Sequence, residues 1–364
     1  MTCRDWVALA MLWWKDGWRQ PIADWLTDPH RATVKAWRTS FESVAASIDV
    51  RLATAPPIAK ARALAQTALE TATRAGLHVI PWPDPRYPKL LTSIADPPPV
   101  LWIRGDVTAL DSVAVALVGS RAAIDHAKEV GYELGLALAA RGVTVVSGLA
   151  RGVDSTAHRG GLSVDGRTVT VLGSGVDTVY PREHTTLAQD VVRRGLVLSE
   201  FPPGTPPRAA HFPQRNRLIS GLSQVVVVVE ASRRSGSLIT ARLGLEQGRE
   251  VMAVPGTVLG RRNVGAHALL KDSAKLVEDV DDILTEIGPG VCARVIPTEG
   301  AAPDDVVLRH LDHGESYDLD QLVARCGLEG ARLLPRLLEL ELAGRIVRRD
   351  GGRHLRTANC GGRQ

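Results

Sequence analysis

The chain has 364 residues, 45% of them apolar, and a formal net charge of +4. That apolar mass can bury two or three cores, which excludes a disordered chain, and so small a basic excess permits an anionic partner without requiring one. Only seven of the 44 basic residues are Lys and the other 37 are Arg, a rigid donor fork suited to phosphate, although a GC-rich genome produces the same bias.

The opening "MTCRDWVALAMLWWKDGW" is apolar for a few turns, but Arg4, Asp5, Lys15 and Asp16 interrupt it and no small-residue cleavage signal follows. It reads as a packed amphipathic helix, not as a signal peptide or membrane span. Residues 1–75 hold six of the eight Trp among alanine-rich stretches with helical spacing, such as "IAKARALAQTALETATRAG", and predict a small helical domain with a packing role. Prolines crowd between Pro81 and Pro99, as in an ordered, extended connector into a new domain.

From Val113 the pattern changes to short β-branched runs alternating with helical stretches: "VAVALVG", "VTVVSG", "RTVTVLGSG", "LVLSEF", "VVVVVEA" and "REVMAVPG". The unbroken run Val225 to Val229 has no polar alternation, as expected of a parallel strand covered on both faces. These runs predict a doubly wound, mostly parallel α/β domain over roughly 108–288. A Gly-, Pro- and Ala-rich linker over 291–302 follows. Residues 303–357 then give three helix-sized segments and two short strands joined at Asp350-Gly351-Gly352, the order of a winged helix, before a tail at 358–364. Cys3, Cys292, Cys326 and Cys360 form no C-x-x-C pair, so neither a zinc site nor a disulfide framework is expected, and a reducing cytoplasm fits.

Ligands of an open α/β sheet bind beyond the carboxyl ends of its strands. There the chain carries Gly119-Ser120-Arg121, Ser147-Gly148-Leu149-Ala150-Arg151, Gly173-Ser174-Gly175 with Tyr180-Pro181-Arg182, a proline loop with Arg208, Ser235-Gly236-Ser237 and Pro255-Gly256. Small residues let a backbone approach a ligand, and Ser235 or Ser237 at a helix start leaves N–H groups pointing outward. With Arg121, Arg151, Arg182, Arg208, Arg215 and Arg217, one rim of the sheet becomes a groove for anions. Taken singly, Gly-Ser-Arg is as readily a tight turn and Ser235-Gly236-Ser237 a helix cap; the convergence of six strand ends favours a site. Asp154 and His158 read as a structural cap and a surface histidine, with an acid/base pair as the alternative. Glu200 reads as an ion-pair partner that orients arginines.

The first turn, "GSRAAI", lacks G-x-G-x-x-G, and there is no P-loop, G-x-S-x-G elbow or metal-ligand cluster. No cofactor, metal or catalytic residue is assigned. Many phosphate donors without a nucleophile and base favour binding over catalysis.

The segments "ALVGSR", "VVSGLARGVDSTAH", "VLGSGVDTVYPREH", "LSEFPPGTPP", "HFPQRNRLISGLSQVVVVVEA", "SGSLITARLGLEQGREVMAVPG" and "GAHALLKDSAKLV" closely resemble the bacterial DNA-processing protein A (DprA, or Smf) family, in the family's order. The resemblance implies an extended Rossmann-like core over 76–290, including the proline-rich lead-in. It also implies a cytoplasmic homodimer, without membrane association, that binds single-stranded DNA, protects incoming strands in natural transformation and loads the RecA recombinase. Carried over by position, the basic groove uses Arg121, Arg182, Arg208, Arg215 and Arg217, with Phe212 available to a base; Arg182 and Arg208 stand where many relatives carry Lys. Arg215 and Arg217 would then grip consecutive phosphates and Asn216 a backbone group or base edge, with Arg215 the better candidate and one arginine free to brace the loop through Glu200. In the winged helix, Arg332 and Arg336 alternate with Glu339 and Glu341, a mixed face that favours protein contact, while the basic "RIVRRDGGRHLR" leaves DNA contact open. The alternative function is a Rossmann-like nucleotide phosphoribohydrolase, but Pro255-Gly256 is followed by "TVLGRRN" without the glutamate such enzymes need.

Overall fold

Chains of β-branched residues with no polar break must be covered on both faces, and the sheet obeys that rule. The computed structural model describes residues 1–14, 18–28, 40–49, 55–288, 305–311, 316–342, 345–348 and 352–356. The linker at 291–302, the tail at 358–364, and Cys292 and Cys360 lie outside the described residues. Contacts divide the chain into two units, Met1–Arg294 and Val295–Gln364.

The first unit opens with α1 (Cys3–Trp13), α2 (Arg19–Thr27), α3 (Phe41–Ile48) and α4 (Ala55–Arg74). Thr2 starts α1 with a capping box, its hydroxyl accepting from Asp5 N while the Asp5 carboxylate accepts from Thr2 N. The lead-in forms β1 (His78–Pro81), α5 (Lys89–Thr92) and β2 (Val100–Gly105). There follow β3 (Ala114–Val118), α6 (Asp125–Ala140), β4 (Thr144–Ser147), α7 (Val153–Ser163) and β5 (Thr168–Val171). Next come α8 (Thr185–Arg194), β6 (Leu196–Ser199), α9 (His211–Gly221), β7 (Val225–Val228) and α10 (Ser237–Glu246). The unit closes with β8 (Glu250–Ala253), α11 (Val264–Lys271), β9 (Lys275–Leu276) and α12 (Val280–Ile287).

All six predicted strands are present, as β3 to β8, in a nine-stranded sheet of order β1-β2-β6-β5-β4-β3-β7-β8-β9. From β6 to β9 every pairing is parallel. The lead-in is more than a connector: β1 and β2 pair antiparallel, and β2 extends the sheet beyond β6. This is the expected extended, doubly wound Rossmann-like sheet. One face buries Ala116, Val146, Val226 and Val228 with Leu218 of α9 and Ala241 of α10. The other buries Val115, Val145, Val225 and Val227 with Leu138 of α6 and Ile283 of α12. At the β2 edge, Trp102 and Val197 share one core with Leu187 and Val191 of α8 and with Trp6, Trp13, Ile22 and Trp25 of the N-terminal helices.

β3 lies between β4 and β7, so the strand order reverses there and a crevice opens beyond the carboxyl ends of β3 and β7. Among the described residues no helix is long and apolar enough to cross a membrane.

The second unit contains β10 (Ser316–Tyr317), α13 (Leu319–Cys326), α14 (Gly330–Leu342), β11 (Ile346–Arg348) and β12 (His354–Arg356), with the sheet ordered β10-β12-β11. The first of the three expected helices is only a 3-10 turn, Leu308–His310, and the strand β10 precedes α13. Asp305 opens that turn by accepting from Val307 N and Leu308 N, and a single turn of this kind fixes several residues for few hydrogen bonds. Arg336 pairs with Asp305 and Glu339, within its own unit.

Candidate nucleic-acid interface

The turn after β3 is shaped by its fit against α7. Gly152 has φ +76°, and a Cβ there would fall 2.2 Å from Ser120 O, so the turn Gly119-Ser120-Arg121 presses directly on the helix start. Arg121 projects outward and is exposed. Its guanidinium sits 5.3 Å from the centroid of Phe212, a cation–π arrangement. The Tyr180 ring lies 5.5 Å from the same ring, tilted by 45°. Phe212 is half-buried against Gly173, where an added Cβ would approach its Cδ1 to 3.2 Å. The strand ends of β3 and β5 and the start of α9 therefore meet in one aromatic and cationic cluster.

The loop before α9 is anchored by stacking. His211 lies 4.1 Å from Phe201, and Phe201 lies 4.4 Å from Trp14, at the end of α1. His211 Nδ1 bonds Gly173 O at 3.0 Å, and burial pushes this imidazole's pKa down. Around the cluster, Arg182 and Arg208 are exposed and their side chains have no hydrogen-bond or ion-pair partner among the described residues. The same holds for Arg233 and Arg234, at the carboxyl end of β7 beside the crevice.

Other predicted residues sit elsewhere. Arg215 is only 3% exposed, donating from Nη1 to Gly148 O at 2.8 Å and also to Val171 O. Burial lowers its pKa to about 10, against the pull of Asp154. Arg217 is 4% exposed; it bonds Glu200 and holds its Nε 3.0 Å from Asp96 Oδ2, which also takes Arg19 Nη2 at 2.7 Å. Glu200, 2% exposed, has a pKa raised by burial against the pull of Arg217. The bracing role expected of Glu200 is thus present, but the expectation that Arg215 and Arg217 grip phosphates is corrected: α9 is buried on both faces, so both guanidiniums satisfy internal partners.

Ser147 is likewise buried and donates its hydroxyl to Leu117 O at 2.6 Å, pinning β4 to β3 rather than facing a ligand. Gly148 is covered by Arg215, whose Nη1 an added Cβ would approach to 2.3 Å. Ser237 is buried, its hydroxyl 2.7 Å from that of half-buried Ser235, while Gly236 is exposed with open space where a Cβ would stand. Asn216, half-buried, donates from Nδ2 to Gly236 O at 3.3 Å and so ties α9 to the start of α10. Arg151 is exposed but forked onto Glu183, with contacts of 2.6 and 2.7 Å. That pairing holds the guanidinium's pKa up and the carboxylate's down.

Asp154 is a structural cap: its Oδ2 accepts from Gly148 N at 3.2 Å and Ala150 N at 3.3 Å, and burial raises its pKa despite Arg215. His158 is not on the surface. It is 0% exposed, its Nδ1 2.5 Å from Thr168 Oγ1 and its Nε2 3.0 Å from Thr170 Oγ1, and burial pushes its pKa down to about 3. Neither group can reach a substrate as an acid/base pair. A hydrolase reading through Glu200 is disfavoured for the same reason, since that carboxylate is buried on Arg217.

Sequence reasoning missed Tyr180 as a ring partner, although it was noted beside Arg182, because only the fold brings it to Phe212. It also passed over Arg233 and Arg234, whose signal was available: two consecutive arginines in "ASRRSGS", shortly after the run of five valines.

The family model described as DNA recombination-mediator protein A matches residues 78–288, and that of the DprA winged helix domain matches 295–352. Protein Smf of Escherichia coli (strain K12) is 42% identical over 285 residues, covering 76% of this chain and 76% of that protein. DNA processing protein DprA of Bacillus subtilis (strain 168) is 42% identical over 213 residues, 58% of this chain and 72% of that one. Among solved structures, DNA processing protein A from Streptococcus pneumoniae superposes with a TM-score of 0.67 at 33% identity, over 79% of this chain and 98% of the other. DNA processing protein A from Helicobacter pylori, described for its single-stranded DNA binding mode, superposes with a TM-score of 0.53 at 29% identity, over 58% and 95%.

Proposed function

The chain belongs to the DNA recombination-mediator protein A family, and from that premise we propose that it binds single-stranded DNA along the carboxyl-end rim of its sheet. The observation that carries the reading is the cluster of Arg121, Phe212 and Tyr180 with unpaired Arg182 and Arg208 beside it. Arginines that have no internal partner are free to exchange water and counterions for phosphates, and a half-buried aromatic ring offers a sequence-tolerant stacking face. Phe212 would stack on a base, Arg121 holding its ring from one side while reaching a phosphate. Arg182 and Arg208 would track the strand, and Arg233, Arg234 and the open turn at Gly236 would continue the path at the crevice.

The buried arginines support this surface indirectly. Arg215 ties α9 to the ends of β4 and β5, and Arg217 ties it to Glu200 and Asp96, so that Phe212 is presented at a fixed height. Arg151 contributes only if a phosphate displaces Glu183.

In the cell, the protein would process incoming DNA in natural transformation, covering strands in the cytoplasm as a homodimer and loading the RecA recombinase. This is a binding function without a catalytic step of its own. The likeness to the Helicobacter pylori protein, whose description names a single-stranded DNA binding mode, supports the ligand. Competition between a labelled oligo-dT strand and unlabelled duplex tests it. Displacement by excess single strand but not by equal duplex is the expected result; equal displacement by duplex would overturn it.

A further inference from the structure

A cavity of about 390 Å³ opens beside the rim on the face of the sheet that α8 covers. It lies at the lower end of the roughly 300–1,000 Å³ found for small-ligand sites, room for one nucleotide rather than a macromolecular partner. Arg104 on β2 stands opposite Val197 on β6 in the strand register, so their side chains share one face, and both line the cavity with Arg182. Arg104 is exposed and its side chain, like that of Arg182, has no hydrogen-bond or ion-pair partner among the described residues. One carboxylate borders the space, Asp177, whose two oxygens both lie 2.9 Å from the Gly204 amide that donates to them, so the two guanidiniums outnumber the negative charge on the lining. Two unpaired guanidiniums in a concavity with valine walls focus positive potential where an anion with an apolar portion would lie. Val192 and Val197 supply part of that wall, and the exposed Gln189 amide can both donate and accept at its edge.

We propose that this cavity binds a nucleoside phosphate, with the phosphate between Arg104 and Arg182, the base against the valine wall and Gln189 at the base edge. The same chemistry has two sources: a nucleotide of a bound strand turning off the rim at Arg182, or a free mononucleotide. The first source rests on the single-strand reading above, whereas the second does not.

The test titrates deoxythymidine 5′-monophosphate by calorimetry and a fluorescent oligo-dT strand by anisotropy against the full chain, Arg104→Ala and Val192→Trp. Arg104 is exposed and its strand is held by backbone pairing, so its loss leaves the fold intact; Val192→Trp fills the cavity with both arginines retained. A free-nucleotide site is shown if the monophosphate binds the wild type and both variants weaken it on the order of tenfold, as losing a charge-assisted phosphate contact should. A strand-derived nucleotide is shown if both variants weaken oligo-dT several-fold and Arg104→Ala lowers the salt slope by about 0.7. If neither variant changes either ligand's binding, the cavity is not a nucleotide site, while oligo-dT binding that still depends on Arg121 leaves the rim reading standing. Conversely, monophosphate binding lost in both variants, with no oligo-dT binding to the wild type, keeps the cavity and sinks the rim.

Discussion

Replacing Arg215 with alanine separates an internal brace from a DNA contact. In the structure the guanidinium is 3% exposed, donates to Gly148 O and Val171 O, and opposes the buried Asp154 carboxylate. Truncation leaves two carbonyls without that donor, at about 1–3 kcal/mol for each one left unsatisfied. It also removes the cation facing Asp154, and breaking one side of a buried charge arrangement costs about 3–5 kcal/mol. These effects overlap, so the expected loss is about 4 kcal/mol, a large part of the roughly 5–15 kcal/mol that separates folded from unfolded domains. Equilibrium urea unfolding at pH 7 measures it: with a slope of up to about 3 kcal/mol per molar, the midpoint should fall by roughly 1 M or more. Under conditions where the variant remains folded, its salt slope on oligo-dT should match the wild type. A variant with the wild-type urea midpoint and a reduced salt slope would refute the brace and return Arg215 to the phosphates.

His158 makes stability depend on acid. Its folded pKa of about 3 lies below the roughly 6.5 of a free imidazole, so the unfolded state binds the extra proton. Its contribution is complete above pH 6.5 and is lost as pH falls toward 3, by about 3 kcal/mol between pH 7 and pH 4. The stability difference between wild type and His158→Gln in urea should shrink by that amount over the interval; parallel pH curves would contradict it. Phe212→Ala should weaken oligo-dT by about 1–3 kcal/mol of stacking with an unchanged salt slope. Unchanged affinity would place that ring outside the base path.

The sheet was legible because its strands are short apolar runs rich in Val, each followed by small residues that break the pattern. The edge pair β1 and β2 was less legible: prolines around "HVIP" and "VLWIRG" mask strands whose partners lie far along the chain. The rim was legible in outline, since strand ends can be read in order, but the direction of each arginine was not. A helix buried on one face announces itself by period; α9 is buried on both, so Arg215 and Arg217 carry the same local signal as surface cations. Likewise nothing local tells that Arg151 has Glu183 within reach while the side chain of Arg182, next in sequence to that glutamate, has no partner among the described residues. Glu200 was the exception, because a lone carboxylate among arginines at a strand end has few other uses.

The most direct measurement compares the salt dependence of oligo-dT binding for the wild type and for a variant carrying Arg121→Ala, Arg182→Ala and Arg208→Ala. All three residues are exposed, so the fold should tolerate their loss. At about 0.7 per phosphate contact, three lost contacts lower the slope by about 2, which removes roughly 20-fold of the affinity change between 50 and 200 mM salt. The account predicts that loss together with weak residual binding; an unchanged slope and affinity would place the strand elsewhere on the protein.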